Sequence, residues 1–162
     1  MPGLHQSFRW TILYLLLLVT RFPEVPLLKL DKTFVDEMII HSREENPKEC
    51  CGIIAGKDDQ AFRLYRITNT EKSPYRYLMD TREQMQADRD AECHGWSFLA
   101  FYHSHTHSPG YPSATDIRMA VDSGWLDIYY ILVSLMDKSA PAVRLFSVSA
   151  DSTVTEHELA VR

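Results

Sequence analysis

Two histidines one residue apart, set directly behind an apolar run, restrict what residues 96–116 can become. Trp96 to Tyr102 has an apolar centre and reads as a strand, and His103-Ser104-His105 follows it at once. His103 to Pro112 carries Ser, Thr, Pro and Gly, so the chain is expected to leave the strand there and form a loop. Ser113 then opens a helix that runs to about Asp122 and is stopped by Gly124. In an extended segment, side chains at i and i+2 point to the same side, so the two imidazoles can converge on one point. Asp116, in the first turn of the next helix, brings a carboxylate toward the same place. Two His and one carboxylate with a fourth position open form the ligand set of a catalytic zinc site, where water takes the vacancy. The ion lowers that water's pKa toward about 7 and polarises a carbonyl oxygen. One zinc ion per chain is therefore expected, held by His103, His105 and Asp116.

Each part alone is ordinary. Surface loops contain His-x-His by chance, and Ser113-x-x-Asp116 is by itself a capping box. The joint pattern is far rarer: with ~2% His, ~7% Ser and ~5% Asp, these four positions match by chance on the order of once in several thousand chains of this length. The two readings of Ser113 do not compete, because a serine can cap its helix and also face a metal site.

The rest of the chain alternates strands with helices. Asp31 can cap a helix in which Phe34, Val35, Met38 and Ile39 recur at helical spacing, ending at Asn46-Pro47. Cys50 to Ala55 reads as a buried strand, 57–60 as a turn, and Ala61 to Thr68 as the partner strand. Tyr75 to Met79 is predicted to be briefly extended. Asp80 and Glu83 carry capping-box chemistry for a helix to about Glu92. Ile128 to Leu135, Val143 to Val148 and Thr153 to Leu159 add three strands. A mixed α/β sheet with helices on its faces is the expected fold class.

Composition narrows the function. At 162 residues, 45% hydrophobic and 24% charged, the chain can bury a core. A formal net charge of -5 and the lack of any basic run of five disfavour a nucleic-acid partner. Three cysteines, two of them adjacent, make a poor disulfide framework and suit a reducing, cytoplasmic compartment. The N-terminus points elsewhere. Trp10 to Val19 is uninterrupted and apolar, too short for an ordinary spanning helix and followed by no small-x-small cleavage site. An uncleaved anchor that makes the protein membrane-associated, a degenerate signal, and an extension outside the domain all stay open. Pro23 and Pro26 mark a break, so residues 1–28 are assigned to an extension and 29–162 to one domain.

Hydrolysis at such a centre also needs a base. Glu49, in Pro47-Lys48-Glu49-Cys50-Cys51-Gly52, reads in isolation as a solvated charge closing a loop. Together, Glu49, His103-Ser104-His105, Ser113 and Asp116 resemble the motif of the JAMM (MPN+) zinc metallopeptidase family. Residues 47–56 are similar to that family's segment around its catalytic Glu. Asn69-x-x-x-Ser73-Pro74 followed by Tyr77-x-x-Asp80-x-x-Glu83-Gln84 resembles its compact bacterial branch, which includes peptidases of sulfur-carrier proteins. The resemblance spans roughly residues 29–160. It implies a curved mixed sheet of the cytidine deaminase-like kind, and zinc held by His103, His105 and Asp116. Glu49 would be the general base and Ser113 would position the water or stabilise the oxyanion. The substrate it implies is the C-terminal tail of a ubiquitin-like or sulfur-carrier protein. Two alternatives remain: a non-catalytic scaffold of the same fold, and a hydrolase of another pathway such as phage-tail processing.

Overall fold

The computed structural model describes residues 28–162. The apolar run at 10–19 and the assignment of residues 1–27 to an extension lie outside the described residues. Leu28, assigned to that extension, instead packs fully buried in the core.

In chain order the elements are β1 (Lys29–Leu30), α1 (Lys32–Glu45), β2 (Cys51–Lys57), β3 (Gln60–Ile67), α2 (Thr81–Cys93) and β4 (Ser97–His105). They continue with α3 (Ala114–Ser123), β5 (Tyr129–Ser134), β6 (Ala142–Val148), β7 (Val154–His157) and β8 (Ala160–Val161). One eight-stranded sheet runs in the order β7-β6-β5-β4-β2-β3-β1-β8. The β4–β5 pair is parallel and α3 crosses between its strands, whereas β2 pairs antiparallel with both β3 and β4. Strand alternation divides the core. Ile53, Phe101, Tyr130, Leu132 and Phe146 face one side, with Ala87 and Ala91 of α2 and Ala120 of α3. Ile54, Ala100, Tyr102, Ile131 and Val133 face the other, against Met38, Val35 and Ile39 of α1. The expected curved mixed sheet flanked by helices is what the chain forms.

Local chemistry sets the boundaries. Asp31 caps α1 by accepting from Thr33 N–H, and Gly124 ends α3 at a φ of 74°. Asp58 and Asp59 take φ of 49° and 61°, which suits the two-residue turn joining β2 to β3. Three expectations need correction. First, β4 does not stop before His103. It continues through His105, because Ser104 N–H donates to the Cys50 carbonyl and the pairing with β5 extends to Ser134. Second, Glu83 does not close a capping box on Asp80; its carboxylate accepts from the Thr68 N–H and hydroxyl, tying α2 to the end of β3. Third, Tyr75 to Met79 forms no strand, only an isolated bridge between Asn69 and Met79. The two-residue strands β1 and β8, which pair with each other, are too short to leave any periodicity in the sequence.

Candidate metal and catalytic site

Because β4 stays extended to its end, His103 and His105 project to one face, and it is the face that carries Phe101. Their Nε2 atoms stand 3.2 Å apart. Asp116, at the start of α3, places Oδ1 3.4 Å from His103 Nε2 and Oδ2 3.3 Å from His105 Nε2. One ligand atom from each residue falls within 4.8 Å of the others. Tetrahedral ligation at about 2.0–2.2 Å puts neighbouring ligand atoms about 3.3–3.6 Å apart, so the observed spacing fits one zinc ion. All three side chains are at most 10% exposed.

The surroundings orient these side chains. His105 Nδ1 lies 2.9 Å from the Pro109 carbonyl, which can only accept. Nδ1 therefore carries a proton, and Nε2 is the nitrogen left to ligate an ion. Tyr77 stacks on His103 with ring centroids 4.4 Å apart. His103 Nδ1 itself is buried without a hydrogen-bond partner among the described residues. Ser113 and Asp116 do form the capping box: Ser113 N–H donates to Oδ2 at 2.7 Å, and Ser113 Oγ accepts from Asp116 N–H at 3.2 Å. That leaves Oδ1 of Asp116 free of any backbone bond and aims the carboxylate at the histidines.

Register brings in Glu49. Cys51 pairs with His103 at the end of the β2–β4 ladder, and Cys50 is still bonded to Ser104, so Glu49 is the residue that enters β2 just beyond the paired region. Glu49 has the same alternation as Cys51, and the charges of His105 and Asp116 act on its carboxyl, so it lies on the histidine side. It is only 5% exposed. Burial pushes its carboxyl up from 4.5 to about 7; the charge of His105 opposes the rise and that of Asp116 adds to it. Burial would also raise Asp116, but its hydrogen bonds to His103 and His105 hold it well below the usual carboxylate range. For His103 burial dominates and lowers the pKa, while for His105 burial is outweighed by the bonds to Asp116 and Pro109, which raise it.

All five residues singled out in the sequence thus sit at the same end of β4 and β2. Ser113 is the exposed member, at the rim. Cys50 and Cys51 are buried, and burial pushes both thiols up, so neither is a thiolate nucleophile. His107 is exposed and held by the Thr106 hydroxyl at 2.7 Å. Sequence reasoning missed the stacking of Tyr77 on His103 and the bond from the Asn69 side chain to the Glu49 carbonyl, whose only trace is the pattern around residues 69–84.

Three comparisons bear on this arrangement. The family described as prokaryotic homologs of the JAB domain matches residues 31–148. A CysO-cysteine peptidase of Mycobacterium tuberculosis is 36% identical over 129 residues, covering 78% of this chain and 86% of its own. A probable TtuB-protein conjugate cleaving protease of Thermus thermophilus is 37% identical over 87 residues, covering 53% of this chain and 58% of its own. Among solved structures, the solution structure of a protein from Desulfitobacterium hafniense aligns with a TM-score of 0.72 at 34% identity, covering 83% of this chain and 92% of that one.

Proposed function

This chain belongs to the JAB-domain (JAMM/MPN) metallopeptidase family, and we propose that it is a zinc peptidase cutting at the C-terminal tail of a ubiquitin-like or sulfur-carrier protein. The observation that carries this reading is the convergence of His103, His105 and Asp116 on one point, with buried Glu49 within reach of the charges of His105 and Asp116.

Zinc, when held by these three residues, supplies a Lewis acid that activates water and polarises the scissile carbonyl. Glu49 takes a proton from the attacking water and delivers it to the departing nitrogen, so that hydroxide adds to the carbonyl carbon as the C–N bond breaks. Burial, which raises its carboxyl to about 7 in the metal-free protein, makes Glu49 a stronger proton acceptor than an exposed carboxylate. The Ser113 hydroxyl oxygen accepts from Asp116 N–H, which leaves its own O–H free to donate to the carbonyl oxygen as charge develops there. The Pro109 carbonyl, accepting from Nδ1, orients the His105 imidazole, and the Tyr77 ring stacks on that of His103.

The substrate class is supported by relatives named for CysO-cysteine and TtuB-protein conjugates. A cleft of about 170 Å³ between Tyr77, Met79, Phe101, Met119, Trp125 and Tyr130 adjoins His103 through the Tyr77 ring and suits the apolar part of such a tail. The three cysteines are free, which agrees with a cytoplasmic setting. The scaffold alternative loses ground because no ligand and no base is missing. The test is cleavage of a sulfur-carrier protein extended at its C-terminus by one cysteine. The zinc-loaded chain should release the cysteine and chelator should stop it; no release from this or from ubiquitin-like conjugates would reject the reading.

A further inference from the structure

Asn69 lies two residues past the end of β3, and its side chain uses all of its hydrogen-bonding capacity. Oδ1 accepts from Glu71 N–H and Leu78 N–H, both at 3.0 Å. Nδ2 donates to the Glu49 carbonyl at 2.9 Å and to the Arg76 carbonyl at 3.0 Å. A bond from Oδ1 two residues on is the ordinary Asx turn, and a turn needs nothing more. The two Nδ2 bonds leave the turn and join separate segments. Only a side-chain amide offers two donors and two acceptors, and glutamine would carry them one carbon further out.

The same loop holds Glu49 from its other side, since Glu49 N–H donates to the Ser73 carbonyl at 2.9 Å. Both backbone groups of Glu49 are thus tied to residues 69–73 rather than to a sheet neighbour. The loop is also fastened to the ligand strand. The Thr106 hydroxyl donates to the Pro74 carbonyl at 3.3 Å, and Tyr77, one residue past the Arg76 carbonyl that Asn69 grips, stacks on His103.

Resting on the reading of Glu49 as the base, we infer that Asn69 is a positioning residue for catalysis, setting Glu49 and the Tyr77 loop in register with His103 and His105. It touches neither metal nor substrate. Asn69 fixes the backbone from which the Glu49 carboxylate reaches the water, and a base displaced by about 1 Å loses up to about 10²-fold in rate.

Asn69→Asp separates the two jobs of the side chain. The aspartate keeps Oδ1 for Glu71 and Leu78, so the turn is retained, but it has no donor for the Glu49 and Arg76 carbonyls. With the carrier protein–cysteine conjugate as substrate, kcat should fall about 10- to 100-fold while KM changes little and bound zinc is unchanged. In a Glu49→Gln background the same exchange should alter the residual single-turnover rate by less than about twofold, because the base it positions is already gone. Asn69→Ala, which removes all four bonds, serves as the second variant. If Asn69→Asp turns over like the parent while Glu49→Gln is impaired, this inference alone is overturned. An equal loss in both backgrounds overturns it, as does loss of zinc or of the folded state in both Asn69 variants, since Asn69 would then serve the scaffold as a whole. A Glu49→Gln variant with parent kcat would remove the assignment of the base itself, and this inference with it.

Discussion

Cys51 stands opposite His103 in the antiparallel ladder of β2 and β4, and this one pairing sets the entry of Glu49 into β2 beside the His103, His105 and Asp116 group. Two residues before Cys51, just beyond the paired region, strand alternation carries Glu49 to the same side as His105, whose charge acts on its carboxyl. A one-residue slip would turn Glu49 to the face that holds Cys50 and Tyr102, away from both histidines.

The ligand geometry predicts one tightly bound zinc per chain. Elemental analysis after purification without added metal should find it, and His103→Ala and Asp116→Ala should each abolish it. Zinc retained at full stoichiometry in both variants would mean that the ion sits elsewhere.

Glu49→Gln removes the proposed proton acceptor and leaves His103, His105 and Asp116 intact. Bound zinc should be unchanged while kcat falls by about 10²–10⁴-fold. Zinc content and steady-state kinetics on the same preparation would settle whether the loss lies in the base or in the metal.

Burial of Glu49 also predicts how the metal-free protein responds to pH. Folding raises this carboxyl from 4.5 to about 7, so the folded state binds the extra proton between those values. Its contribution to stability is fully present below about 4.5 and is lost as pH rises through about 7. Glu49→Gln has no such proton to lose. In urea titrations of the metal-free forms, the variant should gain on the parent from pH 5 to pH 8, and a constant difference would contradict the assigned burial.

Gly52 is needed for close approach. A Cβ there would lie 2.2 Å from Cε1 of Tyr102 and 2.4 Å from the Tyr65 backbone oxygen. The backbone oxygen cannot swing aside, so Gly52→Ala should destabilise the fold by about 1–3 kcal/mol, read as a lower midpoint in thermal denaturation. An unchanged midpoint would show that β2 and β3 can separate freely at this point.

The domain is proposed to begin close to Leu28, which is fully buried. A chain starting at Val25 keeps an ordinary peptide bond on the amino side of Leu28. It should remain soluble, bind zinc and cleave the conjugate at the full-length rate. Aggregation of this shortened chain would place the apolar run at 10–19 inside the folded unit.

Local rules made much of this protein legible in its amino-acid order. The caps at Asp31, Asp80 and Ser113, the stop at Gly124 and the turn at Asp58-Asp59 all depend on neighbours within a few residues, and the structure keeps them. The histidine pair and Asp116 could be grouped for the same reason, since strand alternation and the first helical turn are short-range geometry. Glu49 stood out only through a recognised pattern, because nothing nearby in sequence says that a loop carboxylate will be buried. Tertiary structure alone decided that β4 continues through His105, that Glu83 bonds Thr68 instead of its own cap, and that Tyr77 stacks on His103. It also gave Asn69 four partners spread from Glu49 to Leu78. Each of these depends on segments far apart in the chain meeting in one register, and register is set by packing both faces of the sheet at once.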